Sequence, residues 1–320
     1  MPHTMLHPRL RAAVGLVDMD ADGRTARVQG APVAADTRAA LRHALANRLY
    51  EVFHAGLERD DGPRPRTLRD PGFEALLADA VPHSETRLRV PADSIVRNED
   101  PGYLVVPVDG VRTLMPVASV DEETLPDGTR TVRYPAGRPG LSAGFYLVDG
   151  SAGRPDDHEA TTRFYLHVVN ADAAPALWGG LLEHLEERGL RYRTKVSSSR
   201  LFYPRRDAIV VYLRSADAAG AGLVEATAGR PGVGRRTSVF AQELAPGLAT
   251  ACEPSDNRKG MASMSFGQHR AHAVADGLLE HSGAGHEGTV EEAVCHALNR
   301  AGVRPDAPWL NLPPTSDHDD

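Results

Sequence analysis

The sequence predicts an α+β fold, with a helical N-terminal part and a mixed, largely antiparallel sheet flanked by helices. Apolar residues recur at helical spacing in residues 36–58, whereas residues 88–147 alternate between apolar and polar positions and contain Asp-Gly turn signals. The second half then mixes strand and helix patterns. We expect a helical N-terminal region over residues 1–90, an α+β domain over residues 91–305 and a disordered tail over residues 306–320.

The first half contains one well-marked helix at residues 36–58. Asp36 or Thr37 can cap its N-terminus. Its apolar positions fall on one face: Leu41, Leu45, Leu49, Val52 and Phe53. A second short helix is expected from Phe73 to Pro82. Residues 150–157 are expected to form a linker.

The second half begins with a predicted strand at residues 163–169. We expect Asp172 to cap a helix that ends at Gly189, followed by strands at residues 190–196 and 208–213. The connection between the first two strands is long enough for a parallel crossover. Residues 216–236 are rich in Gly and Ala and predict a mobile surface loop. Helices are expected at residues 269–281 and 289–300, the latter with Thr289 and Glu292 as a capping box.

The composition excludes several classes of protein. With 320 residues and 41% hydrophobic residues, the chain can bury a core, and its formal net charge of -7 argues against a nucleic-acid or membrane-surface partner. The two cysteines are too few for a disulfide framework, and no apolar run approaches the roughly 20 residues of a membrane helix. The histidines of the last third lack metal-ligand spacing. We therefore expect a cytoplasmic protein without a metal site or cofactor.

Basic and hydroxyl side chains concentrate in residues 163–270. Alternation along a strand places Arg163, Tyr165 and His167 on one face, and Arg191, Arg193 and Lys195 on one face of the next strand. Further members of the set follow in later segments: Arg200, Tyr203, Arg205, Arg206, Arg258, Lys259, His269 and Arg270. Because arginine binds phosphate through two parallel hydrogen bonds, this concentration predicts an anion pocket.

A structural explanation fits some of these residues better than a functional one. Arg191 and Arg193 are typical of a solvated strand face, and Arg205 or Arg206 can pair with Asp207 at the surface. Lys195, Arg163 and Tyr165, by contrast, interrupt or end apolar strands. These three residues therefore favour function.

The order of motifs in this half resembles a known family. RFYLHV, LEERGLRYRTKV, YPRRDAIVVYL, FAQELAPGLATACEP and SFGQHR follow one another, and LSAGFYLVDG precedes them with Ala143 where the family's LSPGFY segment carries Pro. This order is similar to the Hop-type effector family of plant-associated bacteria, over roughly residues 136–280. That family includes lyase components of class V lanthipeptide and thioamitide biosynthesis.

The resemblance implies an activity and partners. Such lyases work beside a separate Ser/Thr kinase that phosphorylates a leader–core precursor peptide. They then eliminate the phosphate and leave dehydroalanine or dehydrobutyrine. The fold would be similar to that of the phosphothreonine lyases, and the reaction needs neither metal nor nucleotide.

The resemblance also suggests roles for individual residues. Arg163 and Tyr165 stand where the phosphothreonine lyases carry Lys and His, so the acid is either Tyr165 or His167. We expect Lys195 to act as the base at the α-carbon, and Arg163 to polarise the carbonyl or hold phosphate. The expected phosphate-binding residues are Arg200, Arg206, Arg270, Tyr203 and Lys259.

Two other functions are compatible with the same residues. The chain could be a non-catalytic scaffold that binds the peptide or activates the kinase. It could also be an effector that acts inside a host cell, although the N-terminus is not Ser-rich as in many secreted effectors. Incubation of the pure protein with a phosphopeptide separates the first of these from a lyase.

Overall fold

The structure is a computed structural model that describes residues 5–20, 24–57, 68–156, 158–256, 258–261, 264–283 and 288–313. Its α-helices are α1 (Pro8–Val14), α2 (Arg38–Leu49), α3 (Pro71–Asp79), α4 (Ala174–Glu187), α5 (Ser215–Ala218), α6 (Leu223–Thr227), α7 (Phe266–His281) and α8 (Val290–Arg300). A π-helical turn, Tyr50–Ala55, continues α2. Within these ranges, no helix combines the length and the apolar character needed to cross a membrane.

The strands are β1 (Val17–Met19), β2 (Thr25–Val28), β3 (Ala31–Ala34), β4 (Glu85–Pro91), β5 (Val96–Arg97), β6 (Tyr103–Val108), β7 (Val111–Pro116), β8 (Thr129–Pro135), β9 (Gly137–Ser142), β10 (Phe145–Asp149), β11 (Thr161–Val168), β12 (Tyr192–Ser197), β13 (Arg205–Arg214), β14 (Gln242–Ala245) and β15 (Leu248–Cys252). The largest sheet has the order β14-β15-β11-β13-β12-β10-β9. Smaller sheets are β1-β2-β3, β5-β6-β7 and β4-β8. The α+β prediction is confirmed.

The strand pairings in the described ranges are all antiparallel. The parallel pair that the length of the connection allowed is not formed, because β13 lies between β11 and β12 and pairs antiparallel with both. The two strands run in the same direction without being hydrogen-bonded to each other. The long connection through α4 therefore spans one intervening strand.

Each face of the large sheet carries its own apolar core. Phe164 and Leu166 of β11 pack with α4 on one face, around Trp178. Tyr165 points to the other face, where α2, α7 and α8 pack. The alternation of β11 thus separates the two layers, as expected for a strand buried on both sides.

The local signals in the sequence predict the helices well. The five apolar residues expected on one face of the first helix are all buried, and Thr37 is its cap. The capping box of α8 forms between Thr289 and Glu292. At α4 the expected cap, Asp172, is wrong, because the N-cap position is Ala173, which has no side chain that could cap the helix. The Ala173 N–H itself donates to the side chain of Asn170. Gly189, at φ +61°, follows the end of that helix as expected.

Several connecting segments are more ordered than the sequence suggested. The expected loop at residues 216–236 contains most of α5 and all of α6, and β1, β2 and β3 of the N-terminal region form a three-stranded sheet. The expected linker pairs with β12, since Tyr192 exchanges backbone hydrogen bonds with Gly150 and Gly153. β4 pairs with β8 across the expected boundary at residue 90.

The segment expected to be a disordered tail begins inside the fold. The carbonyl of Trp309 accepts the Cys252 N–H, and the side chain of Asn311 donates to the Glu253 carbonyl. These contacts hold the last residues of the described chain against the edge of β15. Residues 314–320 lie outside the described part of the chain.

Candidate functional site

A pocket of about 380 Å³ lies on the face of the large sheet that is turned away from α4. It is lined by residues from five neighbouring strands, β9 to β13, and from two connections. The charged lining residues are Arg154, Arg163, Arg193, Lys195, Asp156 and Glu253, and the hydroxyl groups come from Tyr212, Ser142 and Thr161. The lining thus has four cationic groups and two carboxylates, and this excess of positive charge suits an anion.

Strand register explains why these side chains meet. Arg193 and Arg163 both lie opposite Tyr212, from β12 and β11 respectively, so the three residues form one row across the sheet. Lys195 lies in the next row, opposite Val210 of β13. Since residues directly opposite one another share a face, the row brings two arginines together around one tyrosine ring.

Lys195 is the most distinctive group in the pocket. The sequence contains two lysines, Lys195 and Lys259, among 36 basic residues. The Lys195 Nζ lies 4.3 Å from the ring centroid of Phe145 and 5.9 Å from that of Tyr212. Among the described residues it has no hydrogen-bonding or ion-pair partner. Its amine is therefore held by aromatic rings and remains available to a ligand.

The arginines of the pocket already contact carboxylates. Arg163 is buried and forms an ion pair with Glu253, whose side chain is 42% exposed. Arg193 donates from Nε to Asp149 Oδ1 at 2.7 Å, and from Nη2 to Asp109 Oδ1 at 2.9 Å. These pairs hold the guanidinium groups in fixed orientations at the edge of the pocket.

Neither of the two expected acids lines the pocket. Tyr165 is 3% exposed and lies below the rings of His54 and Phe266, at centroid distances of 5.1 and 5.8 Å. Burial raises its pKa, and its hydroxyl has no hydrogen-bond partner in the described part of the chain. His167 lies at a register shift in β11, where its Nδ1 is 2.9 Å from the Arg236 carbonyl oxygen. Burial lowers the pKa of His167.

The structure does not bring Arg270 or Arg206 to the pocket either. Arg270 is fully buried and donates to the Pro308 carbonyl at 2.8 Å and to Asn311 Oδ1 at 2.9 Å. Arg206 is buried and donates to the Val52 carbonyl at 3.2 Å. Both side chains connect distant segments of the chain, which accounts for their presence without a ligand.

The other three expected phosphate ligands also lie elsewhere. Arg200 pairs with Asp172 at 2.6 Å and lies 5.0 Å from the Phe73 ring, which belongs to the core on the α4 side. Tyr203 packs against the same ring and donates to the Ser197 carbonyl. Lys259 is exposed in the loop before α7. Of the nine expected site residues, only Lys195 and Arg163 line the pocket.

The charged and aromatic pocket residues that the sequence did not single out are Arg154, Asp156, Tyr212 and Glu253, whereas Arg193 was noted without a functional role. Arg193 was placed on the same strand face as Lys195, but it also fitted a solvated face. Tyr212 lies in the strand that was predicted from YPRRDAIVVYL. Which side chains it meets, however, depends on the order of the strands in the sheet. Arg154 lies in the expected linker and gave no local signal.

A second cluster of polar groups lies on the same face, but it is closed to solvent. His54 Nδ1 is 2.8 Å from Ser238 Oγ, and His54 Nε2 is 3.6 Å from Asp207 Oδ2. Tyr50 donates to Asp207 at 3.0 Å, and Arg205 forms an ion pair with the same carboxylate. Burial lowers the pKa of His54 to about 4. Because Ser238 and His54 are at most 2% exposed, this Ser-His-Asp arrangement attaches the π-helical turn to β13 rather than meeting a substrate.

The described residues contain no group of three or more His, Cys, Asp or Glu side chains suited to hold a metal ion.

A family model described as the HopA1 effector protein family matches residues 136–310, which include every residue that lines the pocket. No curated protein matches the chain.

Two solved structures of Pseudomonas syringae effector proteins are similar to this chain. The effector protein from pathovar tomato strain DC3000 is 19% identical, with a TM-score of 0.47, over 85% of this chain and 96% of that one. The effector protein from pathovar syringae strain 61 is 16% identical, with a TM-score of 0.46, over the same shares of both chains.

Proposed function

This chain belongs to the HopA1 effector protein family, and from that premise we propose that it is a lyase that eliminates phosphate from phosphoserine or phosphothreonine in a peptide. The observation that carries the proposal is the position of Lys195. Its amine meets aromatic rings rather than a carboxylate, in a pocket that three arginines line. A base beside an anion site is the combination that phosphate elimination requires.

In the proposed reaction, Lys195 in its neutral form removes the proton from the α-carbon of the phosphorylated residue. The electron pair of that C–H bond becomes the Cα=Cβ double bond, and the Cβ–O bond breaks. Phosphate leaves with the electrons of the broken bond. The product is dehydroalanine from phosphoserine or dehydrobutyrine from phosphothreonine, and no water is consumed.

The arginines supply the charge that the leaving group needs. Arg163 and Arg193 flank Tyr212, and Arg154 lies at the same pocket. A fixed donor of this kind typically lowers a barrier by on the order of 3 kcal/mol. We assign protonation of the leaving oxygen to the Tyr212 hydroxyl, since Tyr165 and His167 lie outside the pocket.

The biological setting forms part of the same proposal. A separate Ser/Thr kinase would supply the phosphorylated precursor peptide, and the dehydrated product would serve lanthipeptide or thioamitide biosynthesis in the cytoplasm. The alternatives are a scaffold that binds the peptide without reacting and an effector that acts on a host protein. Each of them predicts that phosphopeptide is recovered unchanged.

The deciding experiment incubates the purified protein with a synthetic phosphoserine peptide, without a kinase, and follows loss of phosphate by mass spectrometry. We expect elimination by the unmodified protein and none by Lys195→Ala, which should still bind the peptide. Lys259→Ala is the matched control, because it removes the other lysine at an exposed position. Binding without elimination by the unmodified protein would support the scaffold, and normal elimination by Lys195→Ala would refute the assigned base.

A further inference from the structure

Three arginines converge on one carboxylate at the edge of the pocket. Asp109 Oδ1 accepts from Arg154 Nη2 at 2.8 Å and from Arg193 Nη2 at 2.9 Å. Arg138 contacts the other oxygen of the same carboxylate through Nη1. We call Arg138, Arg154 and Arg193 the arginine cradle. Such convergence of guanidinium groups is typical of a phosphate or carboxylate site.

The carboxylate in the cradle comes from a different sheet. Asp109 and Gly110 form the turn between β6 and β7, with φ values of +53° and +73°. Arg138 belongs to β9 and Arg193 to β12 of the large sheet. The three arginines lie within residues 136–310, which the family model matches, whereas Asp109 lies outside that range. The carboxylate that the three guanidinium groups contact therefore comes from outside the segment that the family model matches.

The charges show that the cradle suits a dianion once Asp109 leaves. Asp149 is the second acidic partner, and it is fixed because it is fully buried and accepts from Tyr134 at 2.9 Å and from Arg193. Three guanidinium charges against two carboxylates leave one positive charge, and without Asp109 they leave two. A phosphate monoester carries nearly two negative charges at neutral pH. In addition, the buried Arg138 Nε–H has no acceptor among the described residues.

We propose that the arginine cradle is a binding site for a phosphate monoester, and that Asp109 occupies it until the ligand displaces the hairpin turn. Arg154 and Arg193 belong to both the cradle and the pocket, so a phosphate in the cradle lies at the pocket that contains Lys195. That the ligand is a phosphorylated peptide residue rests on the proposed function. The competition between Asp109 and phosphate for the arginine cradle does not depend on the proposed function.

The consequence is a measurable competition. While Asp109 is seated, only the fraction of molecules with an open cradle can bind, which weakens the apparent affinity by that fraction. Asp109→Asn removes the negative charge and preserves the size of the side chain. We expect it to bind inorganic phosphate roughly tenfold more tightly than the unmodified protein.

The test titrates inorganic phosphate into both proteins by calorimetry. Asp127→Asn is the matched control, since Asp127 also lies in an Asp-Gly turn and pairs with an exposed arginine, Arg89. It should leave the affinity unchanged, and Arg138→Gln in the Asp109→Asn background should weaken binding again. Equal or weaker phosphate binding by Asp109→Asn would overturn the proposal.

A measurement on the unmodified protein covers the case in which Asp109→Asn does not fold. Added phosphate should accelerate amide hydrogen exchange in β6 and β7, because the turn between them loses its contacts with the arginine cradle. Slower or unchanged exchange there would also overturn the proposal. Since neither measurement involves elimination, the cradle can be refuted while the lyase stands, and the lyase can be refuted while the cradle stands.

Discussion

Tyr165 and Lys195 lie in one row across the large sheet, on either side of Val210, and only Lys195 reaches the pocket. Two strand spacings place their backbones roughly 10 Å apart. His54 and Phe266 cover the ring of Tyr165, whereas the pocket opens over Lys195 and Tyr212. Proximity along the sheet therefore does not make Tyr165 part of the site.

This difference predicts opposite results for two Tyr→Phe substitutions. Tyr212→Phe should lower the single-turnover rate of elimination from a phosphoserine peptide by about a hundredfold or more, because it removes the proposed acid. Tyr165→Phe is the matched control and should leave the rate unchanged, since the lost hydroxyl lacks a partner in the described residues. If Tyr165→Phe lowered the elimination rate and Tyr212→Phe left it unchanged, Tyr165 rather than Tyr212 would be the general acid.

Two ion pairs of β13 should contribute very differently to stability. Asp207→Asn leaves the buried Arg205 without its carboxylate, so we expect the free energy of unfolding to fall by about 3–5 kcal/mol. Asp217→Asn removes the carboxylate that pairs with Arg214, whose side chain is 39% exposed, and should cost far less because water screens the pair. Urea denaturation with an unchanged m-value measures both. Equal losses would mean that the buried cluster does not hold the π-helical turn to the sheet.

Features that depend on neighbouring residues in the chain could be predicted from the sequence. The apolar face from Leu41 to Phe53 and the cap of Thr289 with Glu292 are settled by contacts within one or two helical turns. Lys195 and Arg163 stood out because each contradicts the apolar pattern of its own strand. These signals are local, and they were sufficient for the α+β class and for two residues of the pocket.

The remaining site residues depend on which strands become neighbours. Arg193 and Arg163 meet at Tyr212 only because β13 enters between β11 and β12, and spacing along the chain does not determine that order. Conversely, Arg270 looked like a phosphate ligand because its acceptors, Pro308 and Asn311, lie about forty residues away. A charged residue in a sequence motif can therefore have a buried hydrogen-bond partner in the protein just as readily as a bound ligand.

Two buried histidines predict how stability changes with pH. Burial is the main reason that the pKa values of His54 and His269 fall to about 4, from 6.5 in an exposed imidazole. His54 lies beside Ser238, and His269 accepts from Arg270 at 2.7 Å, so both are held neutral. A lowered pKa means that the unfolded chain binds the proton more readily than the folded chain does.

The sign follows from that difference. The stabilisation is fully present above about pH 6.5 and is lost as the pH falls towards about 4, with on the order of 3 kcal/mol for each histidine. Asp207 and Asp256, whose pKa values are lowered, lose most of their contribution below about pH 4, so their titration adds little to the loss in this window. Urea unfolding between pH 7 and pH 4 should show the decline, and His54→Gln should make it shallower by about one proton. His296→Gln, at an exposed position of α8, is the control. An unchanged slope in His54→Gln would show that His54 is protonated as easily in the folded protein as in the unfolded chain.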